Sequence, residues 1–222
     1  MTTVGIIGSG QIGGTIARLA VDAGHRVVIS NSRDPETLAD LAAELGPQAS
    51  AATSEEAAAA GDIVVVAVPV SAFPGLPAAR LAGKIVVDTC NYGPERDGHI
   101  PELDSGTLTS SELLRQHVPD AVVVKAFNTI FHEHLLSLAR PARAADRSYL
   151  PIAGDSSPAK AVVAAFIASI GYGVVDAGLL ADGWRQGTST PAWGTPYGPY
   201  SDERGEQAGE EAIRAALAAA TR

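Results

Sequence analysis

Gly8-Ser9-Gly10-Gln11-Ile12-Gly13 sets three glycines at the spacing GxGxxG, between an apolar run, Val4–Ile7, and a helical pattern, Ile12–Ala23. Each glycine meets a different demand. The first allows a tight turn, the second lets backbone amides approach a pyrophosphate, and the third lets helix and strand pack closely. An anion held there lies at a helix amino terminus, where free N–H groups and the helix dipole favour negative charge. The spacing alone is common, but strand–turn–helix context makes it a dinucleotide-binding signal. Gly8, Gly10 and Gly13 are therefore candidate cofactor contacts.

The end of the second apolar run bears on which dinucleotide binds. An acidic residue about 20 residues past the glycines would accept hydrogen bonds from the adenosine ribose and select NAD. Here the chain reads Ser30-Asn31-Ser32-Arg33, with no acid before Asp34. Three small polar side chains and a guanidinium suit a 2′-phosphate, since arginine binds phosphate in a bidentate way. NADP(H) is expected over NAD; the alternative is a surface turn with a solvated arginine.

Other candidates carry less chemistry. His132-Glu133-His134 resembles a metal pair, but residues two apart on a helix point away from each other, so a polar helix start is expected and no metal site. Cys90 is the single cysteine, which excludes a disulfide framework and reads as a small buried residue rather than a nucleophile. None of the five tyrosines has lysine four residues later, so the Tyr-x-x-x-Lys pair of short-chain dehydrogenases is missing. Asn128 and Asn91 follow strand-like runs, placing them either at a crevice of the sheet or at helix caps. Lys125 either offsets cofactor charge or is a solvated strand end. Trp193, Tyr197 and Tyr200 lie in a Gly- and Pro-rich segment, Thr188–Tyr200, which either roofs an acceptor pocket or forms a subunit interface.

Positioning these groups requires an alternating pattern. Strands are expected at Val4–Ile7, Arg26–Ser30, Gln48–Ala52, Ile63–Val68, Lys84–Asp88, Ala121–Lys125, Tyr149–Ala153 and within Gly171–Ala177. Between them lie helices at Ile12–Ala23, Pro35–Leu45, Ser54–Ala60, around Ser111–Val118, Ile130–Ala139 and Pro158–Ile170, with Glu203–Ala220 closing the chain. IVVVAV at Ile63–Val68 is apolar throughout, as suits a strand covered on both faces, and Pro69 stops it. Such alternation implies right-handed βαβ units, hence an α/β fold of Rossmann type: a doubly wound, mostly parallel sheet with a small C-terminal α/β lobe. No linker divides the chain. One domain is expected over 1–222, with a nucleotide-binding core in 1–125 and a lobe in 126–222 packed on it.

GIIGSGQIGGTIARLAVDAGHRVVISNSR, VVVAVP, VVDTCNYGPERDG and VVKAFNTI resemble the NADPH-dependent reductases of the deazaflavin coenzyme F-420. They are also similar to predicted bacterial dinucleotide-binding reductases and to the cytosolic reductase domain of the STEAP metalloreductases. The resemblance spans roughly residues 1–180. It implies that Gly8, Ser9, Gly10, Gln11 and Ile12 contact the pyrophosphate and that Ser30, Asn31, Ser32 and Arg33 hold the 2′-phosphate. It also implies that Val68 and Pro69 border the ribose and nicotinamide. Ala126, Phe127 and Asn128 would then lie near the nicotinamide and the acceptor, with Asn91 a further pocket candidate.

The chemistry these residues allow is consistent with that. Hydride transfer between a nicotinamide and a flavin-like ring needs two stacked rings rather than a strong protein acid or base. The 222 residues also leave no room for a separate substrate domain of about 100 residues. An NADPH-dependent oxidoreductase acting on F-420 is expected. A flavin or ferric reductase is the alternative among enzymes, and a non-catalytic NADP(H)-binding redox sensor is the alternative outside them. A net charge of −9 argues against a nucleic-acid partner. No apolar run nears the roughly 20 residues of a membrane helix, and MTTVGIIGSG lacks the features of a secretory signal. A cytoplasmic protein, possible as a homodimer, is expected.

Overall fold

β-Branched runs become strands wherever glycine, proline or a capped helix breaks them. Over residues 1–222 the computed structural model has two compact units, Met1–Val123 and Val124–Arg222. The first contains β1 (Thr3–Ile7), α1 (Gln11–Asp22), β2 (Arg26–Ser30), α2 (Ala39–Leu45), β3 (Ala49–Ala51), α3 (Ser54–Ala60) and β4 (Ile63–Val66). It continues with α4 (Ala78–Leu81), β5 (Ile85–Asp88), the short α5 (Pro94–Asp97) and α6 (Pro101–Asp104), and α7 (Ser110–His117). Its strands are parallel, in the order β3-β2-β1-β4-β5. All four β4 side chains are buried, as expected of a central strand covered on both faces. Each fully buried Val or Ile of this kind contributes about 1.5–3 kcal/mol. The starts of α3 and α7 are fixed by capping boxes, Thr53 with Glu56 and Thr109 with Glu112.

From β1 the chain winds outward to β2 and β3, then returns to the other side of β1 for β4 and β5. That reversal between β1 and β4 is the topological switch point, where open α/β sheets form a ligand crevice outside the strand carboxyl ends.

The chain leaves the first unit inside β6 (Val122–Lys125). Val122 N–H donates to the Lys84 carbonyl at 2.9 Å, beside β5. The second unit adds α8 (His132–Ser137), β7 (Tyr149–Gly154), α9 (Ser157–Ser169), β8 (Gly173–Asp176) and α10 (Glu210–Ala218). There β7 runs antiparallel to the end of β6 and parallel to β8, the latter pair joined through α9. Its core includes Phe127, Leu135, Leu150, Ile167, Tyr172 and Tyr197, all essentially inaccessible. Burial pushes the Tyr172 and Tyr197 hydroxyls far up from their ordinary pKa, so both stay protonated donors. They donate to the carbonyls of Leu135 and Tyr149, each at 2.8 Å.

The fold is the Rossmann-type α/β arrangement, mostly parallel, that the pattern implies. Several boundaries differ from expectation. β4 ends at Val66, although Ala67 N–H still donates to Ile7 at 2.8 Å. Pro35–Leu45 is a 3-10 turn over Pro35–Leu38 followed by α2, because Asp34 caps Glu36 N–H in a tight turn. Ile130–Ala139 is helical only over His132–Ser137. Glu203–Ala220 is helical only from Glu210, since Gly205 takes φ +63° and Gly209 is extended at the cap. No helix is long and apolar enough to cross a membrane.

Candidate functional site

At the turn from β1 to α1 the three glycines have separate reasons. Gly8 takes φ +108°, and a Cβ on it would lie 2.2 Å from the Ala67 carbonyl oxygen. A Cβ on Gly13 would lie 1.9 Å from the Gly8 carbonyl oxygen. Those two positions are closed by the protein itself. Around Gly10 there is no heavy atom within 4 Å of where a Cβ would stand. Gly10 is also the N-cap of α1, without a side-chain cap and with no acidic residue in the first turn. Its free N–H groups and unopposed dipole face open space, an arrangement that fits a pyrophosphate.

Gly8 N–H donates to the Ser30 carbonyl at 3.0 Å, which joins this turn to the end of β2. Ser30 itself points inward. Its hydroxyl is fully buried, donates to the Ile6 carbonyl at 3.0 Å and lies 3.3 Å from Ser54 Oγ. Asn31 Oδ1 accepts the Arg33 N–H at 2.8 Å, and its Nδ2 donates to Thr37 Oγ1 at 3.0 Å. Thr37 Oγ1 donates in turn to the Asp34 carbonyl at 2.7 Å. Ser32 and Arg33 remain exposed, and no carboxylate pairs with the guanidinium. The sequence places three small polar side chains and a guanidinium together as one phosphate cradle; the structure separates Ser30 and Asn31, which shape the turn, from Ser32 and Arg33, which face outward.

Beyond β4, Val68 is half-buried, with a methyl 3.0 Å from where a Gly8 Cβ would stand, and Pro69 is exposed. Beyond β5 the chain leans back on β4: Thr89 Oγ1 donates to the Val66 carbonyl at 3.0 Å, and Cys90 Sγ lies 3.4 Å from the same oxygen. Cys90 is buried, as a small core residue. Asp88, given no role by sequence reasoning, is fully buried at the end of β5. Its carboxylate accepts from Cys90 N–H at 2.8 Å and Ser111 Oγ at 2.5 Å, fixing the turn that carries Asn91. The Arg96 guanidinium donates to the Asn91 carbonyl. Asn91 is half-buried.

In the second unit Ala126 and Phe127 follow β6, both inaccessible. Phe127 takes φ +64°, a strained conformation for a bulky residue, of order 1–3 kcal/mol. Its ring packs edge-on against Phe166 of α9, at 6.4 Å between centroids. Asn128 is buried, and its Nδ2 donates to the Gln186 carbonyl at 2.7 Å. Gly194 N–H donates to the Thr129 carbonyl at 2.7 Å. The segment after β6 thus holds the Gly- and Pro-rich loop in place. Together they line an open cleft of about 740 Å³, walled by Phe131, Trp193 and Tyr200 and edged by Thr188, Thr190 and Glu206. Phe131 meets Trp193 at 5.0 Å and Tyr200 at 4.7 Å between ring centroids, both edge-to-face. Tyr197, grouped with these aromatics by sequence, is instead a core residue. His132 pairs with Glu133, while His134 is buried with Nε2 2.6 Å from the Asp202 carbonyl oxygen. No group of three or more His, Cys, Asp or Glu side chains could hold a metal ion.

Residues 3–92 match the family described as NADP oxidoreductase, coenzyme F420-dependent. A hypothetical protein from Sinorhizobium meliloti is 33% identical, with 87% of this chain and 93% of that chain covered and a TM-score of 0.76. A provisionally named F420-dependent NADP reductase from Arthrobacter sp. FB24 is 31% identical, with 81% and 86% covered and a TM-score of 0.67. A 3-hydroxyisobutyrate dehydrogenase from Mycobacterium tuberculosis, 16% identical with a TM-score of 0.59, shares the fold over 82% of this chain and 56% of its own. No functionally curated protein matches.

Proposed function

Because the chain belongs to the coenzyme F420-dependent NADP oxidoreductase family and is an NADP-dependent oxidoreductase, we propose that it passes hydride between nicotinamide C4 and a flavin-like ring, the deazaflavin coenzyme F-420. One observation carries the cofactor half: open Gly10 at an uncapped helix start, tied through Gly8 and Ser30 to an exposed, unpaired Arg33. The first unit, Met1–Val123, is the nucleotide core in this reading, and Val124–Arg222 supplies the acceptor pocket.

Backbone N–H groups from Ser9 to Gly13 hold the pyrophosphate, and Ser32 and Arg33 hold the 2′-phosphate. Ser30 and Asn31 shape that turn rather than touch the phosphate. Val68 and Pro69 border the nicotinamide. Ala126 and Phe127 act through the strained backbone that presents Asn128. The aromatic cavity of Phe131, Trp193 and Tyr200 takes the acceptor ring. Bound NADPH would give up its C4 hydride, with the electron pair, to the acceptor ring, and one proton from solvent would complete the reduction at a ring nitrogen. Such a transfer needs the two rings at contact with little water between them, and no strong side-chain acid.

Anaerobic NADPH oxidation, compared across F-420, FMN, FAD and ferric chelates, tests this. Turnover with F-420 well above the others is expected. Turnover with FMN, FAD or ferric chelates alone would make it a flavin or ferric reductase, and NADPH binding without turnover would make it a sensor.

A further inference from the structure

Asp97 lies outside every assignment above, yet its side chain has no exposed surface at the edge of the first unit. Its Oδ2 accepts from Gly93 N–H at 3.0 Å and from Arg96 Nη2 at 2.7 Å. Its Oδ1 accepts from Ser71 N–H at 3.3 Å, from Ser71 Oγ at 3.4 Å and from Arg96 Nε at 3.2 Å. The Arg96 guanidinium, held by this carboxylate, also donates to the Asn91 carbonyl.

These contacts join two separate stretches of chain. Ser71 stands two residues after Pro69, in the turn that follows β4. Asn91 and Gly93 follow β5. The two strands are parallel neighbours with Val66 opposite Asp88, so both stretches leave the same edge of the sheet. A carboxylate without solvent must recover its hydration from fixed donors, and Asp97 does so by drawing donors from both loops. Either loop could close by itself with a local turn. Arg96, at 2.7 Å, ties this charged node firmly to the β5 loop, and the longer bonds from Ser71, at 3.3 and 3.4 Å, carry it across to the β4 loop and limit the spacing between the two.

We propose that Asp97, with Arg96, is a positioning residue for hydride transfer: it locks the loops bearing Pro69 and Asn91 and so sets the pose of the nicotinamide ring. The inference rests on the reading above that Val68 and Pro69 border that ring. Asp97 touches no reacting atom. It acts on the half of the cofactor that reacts and leaves the adenosine half, held at Gly10 and Arg33, untouched.

Asp97→Asn keeps the shape and removes the charge. Binding of 2′,5′-ADP, which lacks the nicotinamide, should stay within about twofold, while NADP+ binding weakens roughly tenfold, or ~1.4 kcal/mol. With F-420 as acceptor, kcat should fall by up to roughly 10²-fold, the loss a misplacement of about 1 Å produces. Transfer from NADPH deuterated on one face of C4 should also become less stereoselective. Ser71→Ala, which keeps the backbone donor, should move the same readings less and guards against a misfolded Asp97→Asn. Equal losses of 2′,5′-ADP and NADP+, or unchanged kcat and stereoselectivity in both variants, would overturn the proposal. If wild-type protein fails to reduce F-420, the proposed acceptor falls, and the ratio of NADP+ to 2′,5′-ADP affinity still decides the role of Asp97.

Discussion

Arg33 and Asn31 are joined across a single residue: the Arg33 N–H donates to Asn31 Oδ1 at 2.8 Å, while the Arg33 guanidinium stays exposed and unpaired. The asparagine spends its amide on the turn, and the arginine keeps its charge for a ligand. Arg33→Ala should weaken NADPH binding by roughly 10- to 100-fold, the range of a lost charge-assisted hydrogen bond of about 1.5–3 kcal/mol. NADH binding should hardly change. Asn31→Ala should produce a smaller loss of the same selectivity. Fluorescence titration of both nucleotides reads this directly, and equal effects on NADPH and NADH would remove the phosphate assignment.

The glycine turn predicts a separation of folding from binding. Gly10→Val has open space to enter, so its melting temperature should stay near wild type while both NADPH and NADH binding are blocked. Gly13→Ala must push a Cβ against the Gly8 carbonyl. It should destabilise by at least ~1–3 kcal/mol, roughly 2–4 °C in melting temperature for each kcal/mol in a chain of this size. Calorimetry beside a binding titration separates the two.

If the aromatic cavity of the second unit takes the acceptor, Trp193→Ala should raise KM for F-420 about tenfold, ~1.4 kcal/mol, within the range of losing an aromatic ring contact with its buried area. NADPH affinity should not move. An unchanged KM would place the acceptor elsewhere.

His25 gives the expected acid dependence of stability. Burial holds its pKa below the ordinary value of 6.5, and its Nδ1 already accepts the Thr2 N–H at 3.3 Å. The unfolded chain therefore binds a proton more readily than the folded one. Stability is at its full value above about pH 6.5 and declines as pH falls below it. His25→Asn should flatten that decline. A melting temperature with the same slope between pH 7 and pH 5 in both proteins would exclude His25 as the cause.

Much of this architecture is legible in the residues. The apolar run Ile63–Val68, rich in β-branched residues and stopped by Pro69, reads as a strand covered on both faces, and GxGxxG in its strand–turn–helix context marks the start of α1. What is not legible depends on side-chain direction and on contacts distant in sequence. Ser30 and Ser32 look alike as letters, yet Ser30 is the last residue of β2 and turns inward onto the Ile6 carbonyl, while Ser32 lies in the exposed turn beyond the strand. Tyr197 and Tyr200 stand three residues apart, and only the fold makes one a core residue and the other a cavity wall. The carboxylates of Asp88 and Asp97 carry no motif. Their partners, Ser111 and Ser71, lie more than twenty residues away, so no local pattern announces them.

The central claim is hydride transfer from NADPH to F-420, and the most direct measurement is an anaerobic single turnover with NADPH deuterated at C4. The deuterium should appear in the reduced deazaflavin, one for each NADPH oxidised, and only from one face of the nicotinamide. NADPH that binds without losing its deuterium to F-420 would contradict the account.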